Sequence, residues 1–273
     1  MALGNPAIGW LPQSYWGDSM KLRVLGCSGG IASELDTTSY LLDEDVLIDA
    51  GTGLTTLSIE EIKRIRHIFL THSHLDHIAG FPLMVDTLFG HQVEPLQVHA
   101  HPETIEALKE HIFNWVIWPN FEELEFQGVS AFEWCPMEHG ERVQVGAREL
   151  EMIPVNHTVH GVAYRVVQGE KSFCFSGDTT TNDSLWQTLN QGAPLDMLIV
   201  ECGFSDSAME VAKLSKHYTP TLLAEDLKKL SHKPPIGITH LKPGEELEIV
   251  RDLRAALPDY EVIHLRGGDI FRW

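Results

Sequence analysis

The sequence predicts an α/β protein in which two β-sheets pack face to face with helices on their outer sides. Three observations lead there. Strand-length apolar runs recur along the whole chain, and helical patterns sit between them. No linker separates one part from another, and 43% of the 273 residues are hydrophobic, enough for one domain with a sizeable core. Periodicity alone does not separate this arrangement from other α/β layouts.

Taken in order, the strand-like runs are 22–25, 40–42, 46–49, 67–71, 96–100, 150–155, 162–167, 172–175, 197–201, 236–240 and 261–265. Each is β-branched or apolar and bounded by Gly, Pro, Asp or Asn. Segment 54–65 has apolar residues at helical spacing, and 102–111, 182–189, 220–230 and 245–257 also read as helices. Thr219 and Pro220 supply a cap and first turn for the fourth of these. The domain is expected over residues 20–273, with 81–135 as an excursion over one edge and over the site. Residues 1–19 lack both a basic start and a continuous apolar segment, so they are expected to be an N-terminal extension rather than a signal peptide.

Composition excludes some function classes. No run approaches the roughly 18–20 apolar residues of a membrane span. The formal charge of −19 repels phosphate polymers and gives no basic footprint for a nucleic acid. A small anionic substrate stays compatible with that charge if cations set the local field. Cys27, Cys135, Cys174 and Cys202 show no CxxC spacing and read as free thiols of a reducing cytoplasm. The chain has 15 histidines, which prompts a search for ligands.

The search ends at residues 71–80, THSHLDHIAG, directly after the apolar run Ile68-Phe69-Leu70. His72 and His74 alternate along a strand end and can point to the same side. Asp76 and His77 follow where the strand turns into a helix. Divalent metals take neutral imidazole and carboxylate donors on a rigid mount, and this spacing can feed two adjacent ions. Leaving the four side chains unpaired at a buried strand end would cost several kcal/mol. Further donors leave other apolar runs at similar positions: His157 after IPVN, Asp178 after FCFSG and His240 after IGIT. Taken singly, His157 and His240 are compatible with surface or hydrogen-bonded histidines, and Asp178 with a turn cap. Their joint occurrence at strand ends is what makes them candidates.

The HSHLDH segment resembles the HxHxDH signature of the metallo-β-lactamase superfamily. Asp49 in LIDAGTG, His157 in VNHT, Asp178 in SGDT and His240 in THLKP match its other positions in order, over about residues 21–266. The resemblance implies an αββα sandwich, the metallo-β-lactamase fold, with a dinuclear site at one edge of the two sheets. It implies that His72, His74 and His157 hold one ion and that Asp76, His77 and His240 hold the other. Asp178 would bridge them, and Asp49 would orient a ligand. The two divalent ions are expected to be zinc, with manganese or iron as alternatives.

Within the superfamily, AKLSKHYTPTLLAEDLKKL resembles the pattern of class II cyclic-nucleotide phosphodiesterases and tRNase Z-like enzymes. That likeness places His217 at the scissile phosphate and Glu201 as its acidic partner. The wording around HSHLDH, HIFNWVIWPNF and VNHTVHGVAYRV is closer to the class II enzymes. After Phe81, however, Pro82-Leu83-Met84-Val85 replaces a Ser-containing run of that signature. The implied reaction is hydrolysis of a 3′,5′-cyclic nucleotide to the 5′-nucleotide. A hydroxide between the ions attacks phosphorus, Asp76 helps to hold it, and His217 is the general acid.

The alternatives are a metallo-hydrolase of another ester or lactone, and a non-catalytic metal-binding sensor. The helix opening at Thr219-Pro220 offers N–H groups to an anion. Phe113, Trp115 and Trp118 either stack a base or pack the excursion on the core, and His160 either touches phosphate or lines the pocket. His67, His91, His99, His101, His111, His139, His232 and His264 carry no assigned role. The expected partners are a small phosphodiester or cyclic nucleotide and a second copy in a homodimer, not a nucleic-acid polymer or a membrane.

Overall fold

The structure, a computed structural model, describes residues 19–273; the expectation for residues 1–19 lies, but for its last residue, outside them. Its first sheet holds β1 (Lys21–Gly26), β2 (Ser39–Leu42), β3 (Val46–Ile48), β4 (His67–Phe69), β5 (Leu96–Ala100), β8 (Phe132–Pro136) and β16 (Ile270–Arg272), in the order β16-β1-β2-β3-β4-β5-β8. A short hairpin, β6 (Glu125–Phe126) and β7 (Val129–Ser130), stands apart. The second sheet runs β15-β14-β13-β12-β11-β10-β9. Its members are β9 (Arg142–Val145), β10 (Arg148–Val155), β11 (Gly161–Gln168), β12 (Lys171–Phe175), β13 (Met197–Glu201), β14 (Ile236–Thr239) and β15 (Val262–His264).

Residues of the central strands are mostly apolar on both faces, because each sheet is covered twice. Leu22, Val24, Tyr40, Leu42 and Ile48 of the first sheet meet Met152, Tyr164, Phe173, Phe175 and Ile199 of the second in a buried layer. The alternate residues Leu25, Leu41, Leu47, Ile68 and Val98 lie in an outer core with Phe81, Met84, Leu88, Ile105 and Leu108 of α3 (Gly80–Leu88) and α4 (Pro102–His111). On the far side, Ala163, Cys174, Leu198 and Ile238 lie with residues of α5 (Ser184–Gln191), α7 (Pro220–Asp226) and α8 (Glu246–Ala256). The result is the expected αββα sandwich. Polar links also join the sheets. The Tyr40 hydroxyl lies 2.6 Å from Thr239 Oγ1. Arg148 on β10 donates to Asp45 at 2.7 and 2.7 Å and to Asp43 at 2.9 Å, beside the β2–β3 turn.

Several expectations need correction. The helix read over 54–65 is a 3₁₀ turn, Thr52–Thr56, followed by the single-turn α1 (Ile59–Ile62). Ser58 separates them as an N-cap in a capping box with Glu61. The stretch 81–135 is only partly an excursion, since it contributes most of α3, all of α4, and strands β5 and β8 of the first sheet. The chain leaves the layers mainly between residues 112 and 131. Helix α3 tolerates Pro82 because it stands in the first turn, where its missing N–H has no helical partner. Helix α6 (Met209–Ser215) was also unexpected. No helix among the described residues is long and apolar enough to cross a membrane, and all four cysteines are free.

Phe173 is fully buried in the layer between the sheets. Phe173→Ala is expected to lower the unfolding free energy by about 3–5 kcal/mol in chemical denaturation. A loss below about 1 kcal/mol would contradict the packing described.

Candidate active site

Strand direction brings the candidate residues to one edge. β3 and β4 are parallel, as are β12, β13 and β14. β10 and β12 both pair antiparallel with β11, so they too run the same way. The C-terminal ends of these strands release Asp49, His72, His157, Asp178 and His240, and β13 ends in Glu201. Three of the exits need unusual backbone. Asp49 and His240 sit in the left-handed region at φ 55° and 59°, a strain of about 1–3 kcal/mol each. Gly177 has φ 59°, and a Cβ there would lie 2.6 Å from the Val162 carbonyl oxygen. Only glycine fits the bend that delivers Asp178.

Two groups of donors form there. In one, His72, His74, His157 and Asp178 each place a donor atom within 4.8 Å of the others; in the other, Asp76, His77, Asp178 and His240 do the same. Asp178 belongs to both. Its Oδ2 lies 3.7 Å from His72 Nε2, and its Oδ1 lies 3.3 Å from His77 Nε2 and 3.2 Å from His240 Nδ1. His157 Nε2 lies 3.1 Å from His74 Nδ1, and His74 itself caps the one-turn helix α2 (Leu75–Ile78).

The donor set fits cations. Buried His72 Nε2, His77 Nε2, Asp178 Oδ1 and His240 Nδ1 have no hydrogen-bond partner. Such orphans are costly unless something positive sits among them. Tautomers agree for three rings. Thr71 Oγ1 donates to Asp49 Oδ2 at 2.8 Å, so it accepts from His72 Nδ1–H at 2.9 Å. His77 Nδ1–H donates to Asp49 Oδ2 at 2.7 Å, and His157 Nδ1–H to the Lys216 carbonyl at 3.1 Å. Each leaves Nε2 as a lone-pair donor facing the group.

Burial pushes His157 down to about 4 and His240 down to about 3, which keeps these imidazoles neutral. Burial also opposes charge on His77, but the carboxylates of Asp178 and Asp49 outweigh it and hold that ring well above the usual imidazole range. The edge therefore demands positive charge, which either a proton or a metal ion supplies.

Beside the two groups, Glu201 is fully buried and accepts from His217 Nδ1–H at 2.9 Å, Thr179 N–H at 3.1 Å and Gly203 N–H at 2.8 Å. The His217 ring stacks on His240 at 5.0 Å and 12°, and its centroid is 5.1 Å from that of His157. Burial lowers the His217 pKa, but the adjacent Glu201 charge and hydrogen bond more than reverse this and raise it.

Other expectations fare differently. The opening of α7 is not free for an anion. Pro220 has no N–H, Thr221 N–H donates to Asp206 Oδ1 at 3.1 Å, and Leu222 N–H donates to Thr219 Oγ1 at 3.5 Å. Phe113 is buried in the outer core of the first sheet, and Trp118 packs against that core. Trp115 is 56% exposed. None of the three lines the ≈ 420 Å³ cavity beside His157, whereas His160 does. Two positioning residues are not among the sequence candidates. Thr71 sits beside the motif and is within reach of a reading of the sequence. Lys216 holds His157 from both sides, accepting from Nδ1–H and donating Nζ to the His157 carbonyl at 2.8 Å. A backbone carbonyl leaves no sequence signal.

Removing the shared carboxylate, Asp178→Ala, is expected to abolish stoichiometric binding of both ions in metal analysis. Retention of two ions would contradict its place in both groups. Asp49→Ala is expected to weaken metal binding by about 10–100-fold, measured by competition with a chelator.

Known proteins resemble this chain in sequence and in fold. A protein of Yersinia pestis named "Probable 3',5'-cyclic-nucleotide phosphodiesterase" is 25% identical over 279 residues, covering 83% of this chain and 79% of its own length. "Ribonuclease Z" of Haloarcula marismortui is 22% identical over 92% of this chain and 96% of its own. The crystal structure of unliganded yeast PDE1 superposes with a TM-score of 0.81 at 19% identity, over 92% of this chain and 99% of that one, a likeness of fold. The profile described as "Beta-lactamase superfamily domain" matches residues 44–258, and the chain thus belongs to the β-lactamase superfamily as one of its hydrolases.

Proposed function

We propose that this chain hydrolyses a phosphodiester, with a 3′,5′-cyclic nucleotide as substrate and the 5′-nucleotide as product. The observation that carries the reading is the buried Glu201–His217 pair stacked beside His240 and His157. His72, His74 and His157 would hold one ion and Asp76, His77 and His240 a second, with Asp178 shared; such ions would supply a water of lowered pKa and take up phosphate charge. Zinc suits this imidazole-rich set, with manganese or iron as alternatives.

The protein's own groups do the rest. Glu201 holds Nδ1–H of His217, which leaves Nε2 to carry the proton donated to the departing 3′ oxygen. Breaking a P–O bond to an alkoxide needs such an acid, whereas lactone opening has no evident use for a second buried acid–base pair. Asp76, partly exposed and a member of the second donor group, would orient the attacking water. The relative named as a cyclic-nucleotide phosphodiesterase supports a small substrate, and the formal charge of −19 disfavours an RNA polymer. The four free cysteines fit the cytoplasm.

His217→Ala is expected to retain both metals and to lose about 10²–10⁴-fold in kcat on a phosphodiester. Unchanged kcat removes His217 from the chemistry. In a panel of cyclic nucleotides, bis(p-nitrophenyl) phosphate and acyl-homoserine lactones, turnover is expected for the phosphodiesters. Turnover of lactones alone sinks the reading.

A further inference from the structure

A third set of imidazoles converges away from Asp178. His101 precedes and caps α4, His139 lies in the turn between β8 and β9, and His160 lies in the loop between β10 and β11. One ring nitrogen of each lies within 4.8 Å of those of the other two. The His101 and His160 rings stack at 3.6 Å and 11°, and His139 Nε2 lies 2.8 Å from His160 Nε2. Two carboxylates ring the cluster: Glu103 Oε1 is 3.5 Å from His160 Nδ1, and Glu138 Oε2 is 3.8 Å from His101 Nε2.

We propose that His101, His139 and His160 form a third cation site, separate from the two groups around Asp178, that takes one late first-row divalent ion such as zinc. Three chain segments distant in sequence place imidazoles together where hydrophobic burial does not require it, since His139 is exposed and His160 only partly buried. Imidazole is the donor these ions prefer. Neutral rings are the binding form, and burial followed by mutual repulsion keeps His101 and His139 below the usual range. Glu103 faces His160 Nδ1, where a carboxylate orients a ligating ring so that Nε2 points to the ion.

His101 Nδ1 accepts the Glu103 N–H at 3.3 Å, so Nε2 is its nitrogen left for an ion. Binding there moves the ring proton to Nδ1 and gives up only that long cap bond. His139 Nε2 and His160 Nε2, 2.8 Å apart, hold one N–H between them, and that proton moves to the far nitrogen of its own ring when both Nε2 atoms turn to an ion. The exposed side of His139 leaves a coordination position open to water or to a ligand. The ion would sit on the wall of the cavity lined by His139, His157, His160 and Lys216.

The test uses the full chain without a histidine tag, saturated with zinc, dialysed, and counted by elemental analysis. The H139A/H160A double variant, its fold checked by circular dichroism, is expected to hold one zinc fewer than the wild type. The single variant His139→Ala, at an exposed position, is expected to weaken binding of the last ion by about tenfold or more in a chelator titration. Equal zinc content in the wild type and the double variant, or unchanged affinity in His139→Ala, overturns the proposal. Both readouts are independent of turnover, so failure of the phosphodiesterase reading would leave this outcome unaffected.

Discussion

One carboxylate organises this molecule. Asp178 is almost completely buried, within 3.7 Å of three imidazoles that come from the ends of two different sheets. Burial alone would raise its pKa, but the charge and hydrogen bond of the His77 ring hold it well below the usual carboxylate range. A charge in that position is tolerated only when the surroundings are arranged for it. The left-handed turns at Asp49 and His240, the glycine at 177 and the cluster of parallel strand ends read as the backbone cost of that arrangement.

A second layer of contacts aims the rings. Asp49 receives both Thr71 donors and His77 Nδ1–H, Thr71 accepts from His72, and Lys216 holds His157. None of these groups is a candidate ligand, yet each decides which imidazole nitrogen faces the pocket. The Glu201–His217 pair repeats the device, with the buried carboxylate fixed by two backbone N–H groups before it touches the ring. Orientation by hydrogen bonds from outside lets a site keep several imidazoles poised in close contact.

Much of this is legible in the sequence. HSHLDH is readable because its donors are local in sequence and crowding them at a buried strand end is costly without a cation. The sandwich is readable because strands buried on both faces become continuous apolar runs. Asp49 comes only through family resemblance, since one aspartate after a strand has many ordinary uses. Edge strands β8, β9 and β16 escape because exposed Glu133, Arg142 and Arg272 break the apolar pattern. Ser58 looks neutral within a helical stretch, and only its capping bond reveals the break between two short turns. The helix start at Pro220 looks like an anion seat, but Asp206, from an earlier 3₁₀ turn, takes up one of its donors. The stacked trio of His101, His139 and His160 cannot be read at all, because its members are brought together only by the fold.

The central claim is that two cations share Asp178. Anomalous diffraction at the zinc absorption edge, on crystals grown with zinc, tests it most directly. Two peaks are predicted to flank the Asp178 carboxylate, one against His72, His74 and His157 and the other against Asp76, His77 and His240. A single peak at that carboxylate, or none, would contradict the claim.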